Sequence, residues 1–170
     1  MCLRYNPRPM SSKNIPPVLA LYRRMTRWPL GHWLFSRAVC FKAPYFGSIR
    51  PRFVELRPGF CETRMRKRRR VQNHIATVHA IAMANLCELA AGTMTEVSIP
   101  SSMRWIPKGM TIRYLAKAAT DVRAVARIDP MPDFGEPTDV PVVIDVFDTA
   151  DVKVVNAVIT MYVSPRRVRN

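Results

Sequence analysis

TVHAIAMANLCELAAGTMT, residues Thr77 to Thr95, is the stretch that decides the fold. It is dominated by Ala, Leu, Met and Glu, all strong helix formers, and its apolar side chains lie nearly all round the helical wheel. A helix apolar on every side must be wrapped by other elements and cannot lie on a surface. The spacing therefore predicts one long buried helix.

Every segment after this helix is β in character. Met110 to Tyr114, Val122 to Ile128, Val140 to Phe147 and Val152 to Val163 are rich in Val, Ile, Thr and Tyr and are bounded by Pro, Gly and Asp clusters. In the last of them Val155, Ala157, Ile159, Met161 and Val163 make one face, and Val152, Val154 and Val158 make the other apolar too, which predicts an interior strand. Before the helix, Phe53 to Leu56 and Phe60 to Met65 flank Arg57-Pro58-Gly59, a turn signal between two strands of a hairpin. The order predicts an α+β fold in which a curved, mainly antiparallel sheet of about six strands wraps one central helix.

Further upstream, Val18 to Trp28 places Val18, Leu19, Leu21, Tyr22, Met25 and Trp28 at helical spacing with Arg23, Arg24 and Arg27 between them. This is a basic amphipathic helix, broken by Pro29 and Gly31. A second helix is expected from His32 to about Phe41, ending at Pro44. Residues 1–17, rich in Pro, Ser, Asn and Arg, are expected to be a flexible arm. The organisation is thus an arm over 1–17, a helical extension over 18–42, the main domain over 43–165 and a basic tail over 166–170.

The chain has 170 residues, 48% apolar and 23% charged, too short for a kinase or a TIM barrel. Its net charge of +15 comes from 27 Lys and Arg against 12 Asp and Glu. Residues 1–70 hold 17 of the basic residues with only Glu55 and Glu62, whereas residues 71–170 are balanced at ten of each sign. The excess belongs to the N-terminal part, so it describes a surface there and not the whole domain.

Cys2, Cys40, Cys61 and Cys87 contain no CxxC pair and no His at zinc spacing, so no metal site is expected and the cysteines read as free thiols. No run of 18 uncharged apolar residues occurs, and Arg4 and Arg8 sit where a signal peptide needs apolar residues. A cytoplasmic protein is expected, with peripheral membrane contact open to its basic helix.

The segment from Asn73-His74-Ile75-Ala76-Thr77-Val78-His79-Ala80-Ile81-Ala82 to Leu86-Cys87-Glu88 resembles the hotdog-fold thioesterases of the phenylacetate-degradation type. In that family an Asn, a His six residues later at the start of the long helix, and an acidic residue nine residues beyond it form the catalytic set. Asn73, His79 and Glu88 keep both spacings. Gly109-Met110-Thr111-Ile112-Arg113-Tyr114 is similar to the strand after the helix. The N-terminal helices and Ala43-Pro44-Tyr45-Phe46-Gly47 look like an uncharacterised branch of the same superfamily.

The resemblance implies hydrolysis of an acyl-CoA thioester, with coenzyme A as part of the substrate and no separate cofactor. Glu88 is the implied general base or nucleophile, His79 orients the carbonyl region, and Asn73 orients water or the leaving side. The N–H groups of Ala80 and Ile81, at the positive end of the helix dipole, would polarise the thioester oxygen. At 1.5 Å and ~100° per residue, Glu88 lies roughly 13.5 Å along the helix from His79 and on its opposite side. A two-fold dimer resolves this by bringing Glu88 of one copy to Asn73 and His79 of the other, so a homodimer or a tetramer is expected.

The run Arg64, Arg66, Lys67, Arg68, Arg69, Arg70 precedes Asn73. Arginine forks suit the phosphates of coenzyme A, and Arg68, Arg69 and Arg70 are placed at the pocket mouth, with Lys108 in the Pro-Lys-Gly turn as a weaker phosphate ligand. Two departures stand out. The family has Gly-Gly after the His where this chain has Ala80 and Ile81, and the helper hydroxyl of the following strand falls around Pro107 and Lys108. They motivate a second reading, an acyl-CoA or acyl-carrier binding module without turnover. A third has the N-terminal region bind anionic membrane or nucleic acid. No base-stacking platform is evident, and no specific nucleic-acid partner is expected.

Overall fold

The computed structural model describes residues 15–166. The expected arm up to Asn14, Cys2 within it, and the tail from 167 onward lie outside the described residues.

The long helix forms at Ala80–Ser98, which we call α3. It starts three residues later than the propensity suggests because His79 is extended and caps the helix, its Nδ1 accepting the N–H of Ile81 at 3.1 Å. It stops where Pro100 forces Ile99 into an extended conformation. Leu86, Cys87, Leu89, Ala90, Ala91, Met94 and Val97 are all buried, as an all-round apolar helix requires.

The strands are β1 (Arg52–Arg57), β2 (Phe60–Met65), β3 (Met103–Tyr114), β4 (Val122–Arg127), β5 (Thr138–Phe147) and β6 (Lys153–Pro165). They form one six-stranded sheet in the order β1-β2-β4-β5-β6-β3, antiparallel throughout. α3 contacts every strand, so the sheet curls around it. Gly59 holds the β1–β2 turn with φ 75°, a conformation that costs glycine little. β6 is interior, as its two apolar faces predict.

One strand is longer than expected. β3 begins at Met103, not near Met110, and absorbs Pro107 through a bulge between Pro107 and Gly109. The Pro-Lys-Gly segment is therefore part of a strand and not a turn. The start of β3 is packed on α3: a Cβ on Gly92 would lie 2.7 Å from the Trp105 ring, and the Trp105 indole N–H donates to Glu96 at 2.7 Å.

Two helices, α1 (Pro17–Met25) and α2 (Gly31–Lys42), precede the sheet and share its core. Tyr22, Phe35 and Phe53 stack edge to face with centroids 5.0 Å apart at each step. The Ser36 hydroxyl, only 2% exposed, accepts the N–H of Phe53 at 2.9 Å and donates to the His32 carbonyl at 2.6 Å, tying α2 to the first strand. Among the described residues no helix is long and apolar enough to cross a membrane. Ser36→Ala leaves the Phe53 N–H buried without an acceptor and is expected to cost about 1–3 kcal/mol. Urea unfolding of both proteins measures it.

Candidate functional site

Of the residues singled out in the sequence, Asn73, His79, Ala80, Ile81 and Arg70 lie at the entry to α3, whereas Glu88 and Lys108 do not. Gln72 and Val78 pair in an isolated antiparallel bridge, closing the loop before the helix. Asn73 holds that loop: its Oδ1 accepts the N–H groups of Ile75 at 3.1 Å and Thr77 at 3.0 Å, and its Nδ2 donates to Thr77 Oγ1 at 2.8 Å. Two backbone donors on one oxygen fix the amide orientation and leave one Nδ2 proton for anything else. What Asn73 does within one chain is shape the approach to His79.

His79 stands exposed at the helix start. Because its Nδ1 accepts from Ile81, the neutral ring carries its proton on Nε2 and presents a donor outward. The Ile81 N–H is thereby engaged, whereas the Ala80 N–H has no acceptor among the described residues. The carbonyl of Ala80 accepts the Tyr114 hydroxyl at 3.3 Å, and burial, with the neighbouring Cys87, raises that phenol. The Ile81 side chain is 59% exposed.

A cavity of about 210 Å³ opens beside this capped start, lined by His79, Ile81, Ala82, Asn85, Tyr45 and Arg70 among others. Asn85 is the residue the sequence reading missed. It is 6% exposed, its Nδ2 donates to Ser48 Oγ at 3.3 Å, and its Oδ1 is buried with no partner. An orphaned amide oxygen is costly. The signal was present in the sequence, since Asn is a poor helix former with neither a cap nor a turn to serve in mid-helix.

Glu88 is half-buried on α3, and no Lys, Arg or hydrogen-bond donor pairs with it among the described residues. Ile81, Ala84 and Glu88, at i, i+3 and i+7, form a strip of α3 that the sheet leaves partly open. Asn85 is the i−3 neighbour of Glu88 and links this strip to the His79 cavity. Glu88 does not line that cavity in the single chain.

The basic residues separate into two places. Arg70 lines the His79 cavity, Arg69 is exposed beside it, and the Arg68 guanidinium donates to the Ser48 carbonyl at 3.0 Å. Burial, then repulsion from Arg50 and Arg70, holds Arg68 below its ordinary value. Lys108 is elsewhere, on the edge strand β3, paired with Asp139 at 2.8 Å and over the Tyr162 ring. It is not brought to the arginines, because the segment that carries it is a bulged strand. Cys87 and Cys61 point into the core, where burial pushes the first thiol up to about 12 and the second up as well. Neither is a poised nucleophile.

A curved antiparallel sheet around one buried helix is the hotdog fold, and solved structures share it. Residues 31–163 match the family model described as Domain of unknown function (DUF4442), and the chain belongs to that family. Of the two branches that the sequence resembles, this match falls on the uncharacterised one. A crystal structure of a genomics target is 48% identical, covering 88% of this chain and 98% of that one, with a TM-score of 0.76. A Pseudomonas aeruginosa protein of unknown function, called a "Probable Thioesterase", is 23% identical over 75% of this chain and 91% of its own, with a TM-score of 0.69. A thioesterase from Haemophilus influenzae shares the fold at 11% identity, over 71% and 82% of the two chains, with a TM-score of 0.64. No curated protein matches the sequence.

Asn73→Ala removes the acceptor for two backbone N–H groups and is expected to lower stability by about 1–2 kcal/mol, while Asn73→Asp, which keeps that acceptor, costs less. Denaturant titration of the three proteins checks the order.

Proposed function

We propose that the protein hydrolyses an acyl-CoA thioester at a site completed by two copies of the chain. The observation that carries this is Glu88, a half-buried carboxylate on the open strip of a mostly buried helix, with no ion-pair partner among the described residues. A carboxylate kept unpaired in such a place is better suited to moving a proton than to holding the fold. The thioesterase names borne by proteins of the same fold support the reaction class.

Within one chain Glu88 sits nine residues beyond the capping His79 and does not line the His79 cavity. Edge strand β3 supports the second copy. It spans 12 residues, pairs only with β6, and carries Ile106 and Tyr114 exposed. A long edge with unpaired N–H and C=O groups is a template for another strand. Isologous pairing through β3 sets two α3 helices on one side of a continuous sheet, with the open strip of each turned to the other.

In this site Glu88 of one copy takes a proton from water as the water oxygen bonds to the thioester carbon. The carbonyl oxygen becomes an oxyanion held by the Ala80 N–H and the Nε2–H of His79 on the other copy. The oxyanion then collapses, the carbon–sulfur bond breaks, and the proton held by Glu88 passes to the departing thiolate. Asn85 forms part of the wall of the cavity that holds the water, and Asn73 keeps the loop that presents His79. Arg69 and Arg70 receive the phosphates of coenzyme A, with Arg68 bracing the segment through Ser48.

Release of free thiol from a panel of acyl-CoA substrates, acetyl to palmitoyl, tests this reading with wild type and Glu88→Gln. Loss of a general base is expected to lower kcat by about 10²-fold or more while the dimer persists. Asn85→Ala is expected to lower kcat by about tenfold with little change in KM. Binding of acyl-CoA without turnover by the wild type would instead make the chain an acyl-CoA binding module.

A further inference from the structure

The N-terminal helix pair presents to solvent what a soluble domain ordinarily buries. In α2 the exposed positions Trp33, Leu34, Arg37, Ala38, Phe41 and Lys42 recur at helical spacing as one outward strip, while Phe35, Ser36 and Cys40 face the core. Phe41 is 91% exposed. The turn that leads into α2 adds Trp28 at 72% and Leu30 at 66%. Large apolar side chains concentrated on one element and left this open mark an interaction surface.

The charge of the segment that carries them has one sign. From residue 15 to residue 54 the chain has seven basic residues, Arg23, Arg24, Arg27, Arg37, Lys42, Arg50 and Arg52, and no acidic one. None of the seven is in an ion pair among the described residues. Beneath α2 lies a cleft of about 1000 Å³ to which Trp33 and Arg37 contribute, together with Arg50, Arg52 and Arg66. Three carboxylates and a further cation that pairs with one of them, Arg123, also line it, and the arginines outnumber the carboxylates. Asp151 holds Arg123 at 2.7 Å, Asp121 accepts the Lys67 N–H, and Asp148 accepts the N–H groups of Ala150 and Val152.

We infer that the α1–α2 face docks the protein on an anionic lipid surface. The apolar side chains of the turn and the α2 strip enter the headgroup layer, and the arginines of the cleft take lipid phosphates. An apolar protein partner has no use for seven unpaired cations. A nucleic acid gains little from the aliphatic Leu30 and Leu34. The interface of an anionic bilayer takes both at once: tryptophans and aliphatics at the headgroup level, and Lys and Arg in the negative surface potential. Neither helix, at 9 and 12 residues, is long enough to span, so the contact is peripheral. This inference does not rest on the thioesterase reading.

Co-sedimentation of the full chain with vesicles of phosphatidylcholine alone, and of phosphatidylcholine with roughly one third phosphatidylglycerol, tests it at low and high salt. Binding is expected to be about tenfold or more stronger on the anionic vesicles, to weaken with salt, and to shift the indole emission of Trp28 and Trp33 to the blue. The triple variant Trp28→Ser, Leu30→Ser, Phe41→Ser and the variant Arg27→Glu, Arg37→Glu, Lys42→Glu alter only exposed positions. Each is expected to lose about tenfold in vesicle binding with unchanged circular dichroism. Equal binding to neutral vesicles, binding to neither, or unchanged binding by both variants overturns the inference. So does a drop in oligomer mass in the serine variant, which assigns the face to another copy of the chain. Retention of a single-stranded oligonucleotide without vesicle binding likewise overturns it and assigns the face to nucleic acid.

Discussion

Keeping α3 out of water on nearly every side is the constraint on which this structure depends. Leu86, Cys87, Ala90, Ala91, Met94 and Val97 are completely buried, and residues this apolar in a full turn-by-turn array leave no face for solvent. A flat sheet covers one side of a helix only. The six strands must therefore curl, and the antiparallel order β1-β2-β4-β5-β6-β3 lets them do so with α3 touching each. The helix start remains uncovered, along with the strip of Ile81, Ala84 and Glu88.

Those two openings are where the polar residues gather. At the start, His79 uses one ring nitrogen to cap the helix and keeps the other as a donor, so one residue serves both fold and site. Asn73 is spent mostly on its own loop. On the strip Glu88 has no partner among the described residues, and next to it Asn85 keeps a buried oxygen unsatisfied. Unsatisfied polar groups are retained against their cost where something else is to bind. The separation of Glu88 from the His79 cavity, and the open edge of β3, are what a site shared with a second copy would need.

Much of this was legible in the sequence, for physical reasons. An all-round apolar helix followed by β-branched runs leaves few architectures, and the Arg57-Pro58-Gly59 turn fixes the first hairpin. The start of the helix was displaced because a histidine ring, rather than a Ser, Thr or Asp, provides the cap. The first half of β3 was hidden because Arg104, Pro107 and Lys108 interrupt alternation, and only the bulge reconciles them with a strand. That same bulge carries Lys108 to Asp139 and away from the arginines. Asn85 escaped notice because attention to apolar periodicity treats a single polar residue in a helix as noise. Its orphaned oxygen becomes visible only once burial is known.

The central claim is that each site takes His79 from one copy and Glu88 from the other, and subunit mixing tests it most directly. Glu88→Ala and Histidine-79 to alanine (His79→Ala) proteins, each inactive alone, are mixed, dissociated and reassociated. In a shared site the heterodimer regenerates one intact pair, so the mixture should recover about a quarter of wild-type activity. Activity that stays at the level of the separate variants, with heterodimers shown to form, would place both residues in one chain's site and contradict the account.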